Sequence, residues 1–76
     1  MLRCGLWSTA MEIEVNGKAY QTREGAVVLD VIQSLDLDPA RVVAELNSEI
    51  IPGESFGSRR LEPGDRLELV GLVGGG

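Results

Sequence analysis

Histidine is absent from this 76-residue chain, and cysteine occurs once, at position 4. Those two shortages remove most of the usual catalytic and metal-binding vocabulary. Ser-His triads, Cys-His pairs and zinc sites assembled from His and Cys are excluded, and a single cysteine cannot build a disulfide framework. Cys4 has no neighbouring His or Lys to lower its pKa, so an incidental thiol is expected there and not a reactive one. Asp and Glu are available, but a glycosidase-type carboxylate pair needs a deep cleft, which a domain this small rarely has room to form. Any chemistry in which the chain takes part is expected to draw its catalyst from another protein.

Positive charge is scarce as well. Seven Lys and Arg stand against 12 Asp and Glu, a net charge of -5, and the only basic cluster is Arg59-Arg60. Nucleic acid, whose binding is driven by phosphate neutralisation, is therefore not an expected partner. No apolar run approaches the length of roughly 18 residues that a membrane span needs, and no charged segment followed by an apolar core reads as a secretory signal. The membrane is not an expected partner either, and the expected location is cytoplasmic. What the chain does have is a globular composition, 43% hydrophobic and free of low-complexity runs. A chain of this length buries only about 60% of its unfolded surface on folding, with an expected stability of roughly 4 to 11 kcal/mol.

Residues 1–10, "MLRCGLWSTA", show no alternation, whereas Met11 opens a clean pattern. The first ten residues are read as a dispensable extension. From there Met11, Ile13 and Val15 alternate with Glu12 and Glu14, the period-two signature of a half-buried strand. Asn16-Gly17 follows, a strong signal for a type I′ hairpin turn because both central residues need positive φ. A hairpin of Met11 to Asn16 and Lys18 to Thr22 is predicted. After Glu24-Gly25, the apolar residues Val28, Leu29, Ile32 and Leu35 form one helical stripe. A helix of about ten residues is predicted, stopped by Asp38-Pro39 because proline cannot continue the i to i−4 bonding. Val42 to Leu46 reads as a third strand and Glu49 to Ile51 as a brief fourth, separated by Asn47-Ser48. The stretch from Gly53 onward reads as a loop, with Phe56 and Leu61 tucked onto the core. Pro63-Gly64-Asp65 marks a turn, and "RLELVGLV" is the last strand.

Strand, strand, helix, strand, short strand, loop, strand is the order of an α+β domain. It matches the ubiquitin-like β-grasp: a mixed sheet of four to five strands covered by one main helix, with the first and last strands adjacent in the centre. The domain is placed at residues 11–72 and a flexible glycine tail at 73–76. That tail draws attention, since glycine averages about 7% of residues in proteins yet fills all three final positions here.

Several stretches together carry a family resemblance: "VNG" at the first hairpin, "VVLDVIQSL" in the helix, "VVAELNSEIIP" across the third and fourth strands, "LEPGDRLELV" into the last, and the terminal "VGGG". In this order and spacing, residues 11–76 resemble the ThiS family of sulfur carriers in thiamine biosynthesis. The chain departs from the family at Gly53 and Glu54, where a basic residue often follows the proline. The resemblance implies a carrier cycle with no bound cofactor. A ThiF-type adenylating enzyme would use ATP to activate the Gly76 carboxylate, a cysteine-derived sulfur donor would convert it to a covalent thiocarboxylate, and thiazole synthase (ThiG) would receive the sulfur. The chain would be a protein co-substrate and not an enzyme. A MoaD-like small subunit of molybdopterin synthase and a ubiquitin-like protein modifier share the same kind of ending, and a plain binding module with meaningless glycines stands beside them.

The residues themselves suit that chemistry. The α-carboxyl of Gly76 has a reference pKa of about 3.3 to 3.7, so it is an anionic nucleophile at neutral pH that needs no base from its own chain. Gly74, Gly75 and Gly76 lack Cβ atoms and can thread a narrow channel with φ values closed to other residues. Four extended residues from Val73 would reach roughly 13 Å into a recessed site. Ordering such a tail costs entropy, so docking energy must come from elsewhere. Val70, Leu72 and Val73 are the candidate apolar contacts, core packing being the alternative for Val70 and Leu72. Arg59 and Arg60 are candidate charge contacts, a solvated loop being theirs.

Overall fold

The computed structural model describes residues 10–71. Residues 1–9 of the predicted ten-residue extension and the site positions Leu72, Val73, Gly74, Gly75 and Gly76 lie outside the described residues, and Ala10, the last residue of that extension, is the first of a strand. Five strands and one α-helix follow in the order β1 (Ala10–Val15), β2 (Lys18–Arg23), α1 (Val28–Ser34), β3 (Val42–Leu46), β4 (Glu49–Ile51) and β5 (Arg66–Gly71). Single 3₁₀ turns at Pro39–Arg41 and Gly53–Ser55 join them. The sheet order is β2-β1-β5-β3-β4, with β1 and β5 parallel and the remaining pairs antiparallel. The first and last strands are thus adjacent, and β5 is the middle strand, as the ubiquitin-like β-grasp requires.

Alternation sets which face is buried. Met11, Ile13 and Val15 of β1, Val42, Ala44 and Leu46 of β3, and Leu67 and Leu69 of β5 all point into one core. Across that core lie Val28, Val31 and Ile32 of the helix, at the i, i+3, i+4 spacing of a single buried face. Phe56 and Leu61, the predicted loop anchors, are each only 3% exposed and close the core beneath the long connection to β5. The Tyr20 hydroxyl bonds to the hydroxyl of Ser34, tying β2 to the end of the helix.

The helix differs from its predicted form in two respects. It spans seven residues, not about ten, and ends well before Asp38-Pro39. Asp36 adopts φ 62° just past the C-cap, where its amide bonds Gln33 O (3.0 Å) and the amide of Leu37 bonds Ile32 O (3.1 Å). This pair of bonds is the Schellman arrangement, with an aspartate at the left-handed position that glycine more often fills and Leu37 packed back onto the core. The apolar stripe is also rotated: Val31, not Leu35, completes it, and Leu35 is 37% exposed at the C-cap. At the other end, Asp30 accepts the Val27 amide (2.9 Å), supplying the side-chain half of an N-terminal cap that Val27 itself cannot provide.

Both hairpins turn on residues of positive φ. Asn16 (52°) and Gly17 (83°) join β1 to β2, and Asn47 (52°) and Ser48 (72°) join β3 to β4. The second turn reaches type I′ geometry without glycine, with asparagine the residue best able to tolerate it.

Substitution at the two helix positions separates the two stripes. Ile32→Ala is expected to lower the unfolding free energy by about 2 to 5 kcal/mol, and Leu35→Ala by less than about 1 kcal/mol, both read from urea denaturation.

Candidate functional site

The described residues end at Gly71, the last residue of the middle strand. The predicted glycine tail follows directly on β5 in the chain, so the surroundings of β5 are the candidate site. On one flank β3 pairs with it along the full strand, from Leu46 opposite Leu67 to Val42 opposite Gly71. On the other flank the ladder to β1 ends early, with Val15 opposite Leu67, because the chain of β1 turns away at Asn16-Gly17.

Two asparagine side chains finish what the strands leave undone. Leu69 N–H donates to Asn16 Oδ1 (2.8 Å), one step past the end of β1. At the start of β5, Arg66 N–H donates to Asn47 Oδ1 (2.9 Å), while Asn47 Nδ2 donates to Asp65 Oδ1 (3.0 Å). Asp65 Oδ2 in turn accepts the Glu62 amide (2.8 Å) and fixes the Pro63-Gly64 turn. Both asparagines read in the sequence as turn residues only. Their second role depends on a strand about 20 or 50 positions away and has no local signal.

Near Gly71, the outer face of the sheet carries exposed apolar residues. Val70 is 59% exposed and lies directly across from Val43, itself 39% exposed. Ile50 of β4, 64% exposed, belongs to the same face, opposite Glu45 of β3. Val70 therefore resolves toward the surface and not the core, because Leu67 and Leu69 take the inward positions of β5. The sequence pointed to Val70 but not to Val43 or Ile50. Val43 sits in a run that is apolar on both faces, and only its register against β5 shows which neighbour it shares.

Charge on this face is predominantly negative. Glu45 stands directly opposite Glu68, an arrangement of like charges that costs stability in a sheet. Glu14 lies on the same side of the sheet, where it meets Arg66 at 3.9 Å between largely exposed groups. Arg59 and Arg60 are not part of this patch. The Arg59 guanidinium lies 3.8 Å from Glu49, level with the beginning of β5, and Arg60 is paired with Val27 beside the helix start. Four residues of extended strand, roughly 13 Å, separate that level from Gly71. Among the described residues no group of three or more His, Cys, Asp or Glu is placed to hold a metal ion, and no helix is long and apolar enough to cross a membrane.

A mixed five-stranded sheet over one helix, with parallel first and last strands at its centre, defines a ubiquitin-like β-grasp domain. The chain belongs to the ThiS family, whose model matches residues 9–76. It is similar to the sulfur carrier protein ThiS of Escherichia coli K12, 29% identical over 66 residues that cover 87% of this chain and 100% of that one. The crystal structure of the thiamine biosynthesis protein ThiS from Geobacter metallireducens superposes with a TM-score of 0.74 at 30% identity, covering 87% of this chain and 100% of that chain. A thiazole synthase of Paramagnetospirillum magneticum is 32% identical over 66 residues, 87% of this chain, and the match spans only 20% of that longer protein.

The exposed face makes a stability prediction. Val43→Thr and Val70→Thr are each expected to shift the unfolding free energy by no more than about 0.5 kcal/mol. Glu45→Lys, which replaces a repulsive cross-strand pair with an attractive one, is expected to raise it by about 0.2 to 1 kcal/mol. Thermal and urea unfolding of the three variants check both statements.

Proposed function

We propose that this chain is a sulfur carrier for thiazole formation in thiamine biosynthesis, loaded at the carboxylate of Gly76. The observation that carries the reading is that the family match runs through residue 76 and so includes the "VGGG" ending. The name of the Escherichia coli relative, a sulfur carrier protein of similar length, supports the same reading.

Loading would proceed in two substitutions. A Gly76 carboxylate oxygen attacks the α-phosphorus of ATP, and pyrophosphate leaves, in the active site of a ThiF-type adenylating enzyme. A sulfur nucleophile derived from cysteine then attacks the acyl carbon, and AMP leaves, carrying the carboxylate oxygen that bridged to phosphorus. With a persulfide donor the sulfur–sulfur bond must also be cleaved reductively, by a thiol, before the thiocarboxylate is free. The chain supplies one carboxylate and no catalytic group, so it acts as a co-substrate.

Docking energy comes from the body of the domain. Val43, Ile50 and Val70 form an apolar face at the base of the arm, and the opposed Glu45 and Glu68 favour a partner that brings a basic side chain between them. Leu72 and Val73 extend the apolar contact, and Gly74 and Gly75 thread the partner's channel. Arg59 and Arg60, at the other end of the sheet, serve as outlying charge contacts. A ThiG-type thiazole synthase is the receiver of the sulfur. In Paramagnetospirillum magneticum, a segment similar to this chain occurs within a protein named thiazole synthase, and joining in one polypeptide is a natural arrangement for a donor and its acceptor.

Incubation with a ThiF-type enzyme, ATP and a sulfur source is expected to exchange one oxygen for sulfur at the C-terminus, read by intact mass. A short C-terminal affinity tag, which blocks the Gly76 carboxylate, is expected to abolish that exchange without changing the melting temperature. Absence of the sulfur species from the untagged chain, or covalent attachment of the chain to lysines of other proteins, would overturn the carrier reading.

A further inference from the structure

The carboxamide of Asn16 occupies an unusual place in the sheet. Parallel ladders space their bonds evenly, and here Glu14 N–H bonds Asp65 O (2.8 Å) and Asn16 N–H bonds Leu67 O (3.0 Å). Continued by one step, the pattern would bring the Leu69 amide to the main-chain carbonyl of residue 16. That carbonyl is unsuited to the task, because at φ 52° Asn16 has already turned the chain into the hairpin. The side-chain Oδ1 accepts the Leu69 amide in its stead, at 2.8 Å across 53 residues of sequence, in a partly buried setting.

The consequence lies at the end of β5. Up to Leu69 the strand is held on both flanks, by Asn16 on the β1 side and by Ala44 on the β3 side. Among the described residues, Val70 and Gly71 pair with β3 alone, opposite Val43 and Val42. Without the Asn16 bond, the singly supported stretch would begin near Leu67, four residues before the last described residue, and the strand would be free to swing about its β3 edge. We propose that Asn16 is a positioning residue for the C-terminal arm: its carboxamide fixes the direction in which the chain passes Gly71 while the apolar face of Val43, Ile50 and Val70 is engaged. This rests on the carrier reading for its functional part, and its structural part stands without it.

Asn47 provides the internal control. It makes the same kind of bond to the same strand, from the same positive-φ turn position, but at Arg66, the end remote from the arm. A purely structural role predicts that losing either carboxamide affects function alike; a positioning role singles out Asn16. The variants are Asn16→Gly and Asn47→Gly, which keep the positive φ and lose the acceptor, and Asn16→Asp, which keeps an acceptor oxygen.

Amide hydrogen exchange by NMR is expected to show Leu69 exchanging about five- to tenfold faster in Asn16→Gly, in proportion to one lost hydrogen bond, with Asn16→Asp close to the parent. In ATP–pyrophosphate exchange with a ThiF-type enzyme, Asn16→Gly is expected to lower kcat about tenfold at nearly unchanged KM for the carrier, since the docking face is intact. Asn16→Asp should restore kcat, and Asn47→Gly should leave it within about twofold of the parent. Unchanged Leu69 exchange in Asn16→Gly would overturn the clamp. Faster exchange with parental kcat, or an equal loss of kcat in Asn47→Gly, would overturn the positioning role. If the parent chain itself supports no exchange, the carrier reading fails, and the Leu69 measurement still decides the clamp.

Discussion

Everything in this domain is organised around the middle strand. β5 pairs with a parallel neighbour on one side and an antiparallel neighbour on the other; β1 turns away after Val15, opposite Leu67, and β3 turns into its own hairpin at Asn47, level with the first residue of β5. A buried strand cannot leave amides unpaired without a cost of about 1 to 3 kcal/mol for each. The fold meets this constraint with two asparagines, Asn16 and Asn47, each of which occupies a turn position open to few residues and also lends its carboxamide to β5. The turn requirement and the pairing requirement select the same residue type, since asparagine tolerates positive φ and carries an acceptor on a short side chain.

The same strand separates the two faces on which the domain depends. Leu67 and Leu69 point inward to a core closed by Val28, Val31 and Ile32, while Val70 points outward to meet Val43. The inner and outer faces are thus carried by alternate residues of one six-residue segment. A substitution on the outer face is expected to change stability little, and one on the inner face much. The glutamates opposed across β3 and β5 fit this division, because a like-charge pair that costs stability in the free domain gains when a cation is brought to it.

Much of the architecture was legible in the chain. The alternation of Met11, Ile13 and Val15, the Asn16-Gly17 turn, the short apolar runs at Val42 to Leu46 and Glu49 to Ile51, and the Pro63-Gly64-Asp65 turn each have local physical causes, and each element appears where those causes place it. The helix was legible in kind but not in extent. Pro39 is a strong stop signal, and it hid an earlier one, the left-handed Asp36, which only its hydrogen bonds to Gln33 and Ile32 reveal. Val31, at i+3 from Val28, belongs to the buried stripe, and Leu35 drops out of it because it is the C-cap of a helix that ends at Ser34.

By itself, the sequence determined the element order, the burial alternation of the strands and the ending "VGGG", because these depend on spacing and on backbone preferences within a few residues. It also determined what the chain lacks, a histidine and a second cysteine. Tertiary structure alone decided which outward-facing residues become neighbours. Val43 meets Val70, Ile50 stands opposite Glu45 on the edge strand, Arg59 lies by Glu49 level with the beginning of β5, and Arg60 lies beside the helix start. It also gave Asn16 and Asn47 their second function, because pairing register couples residues that no local rule connects.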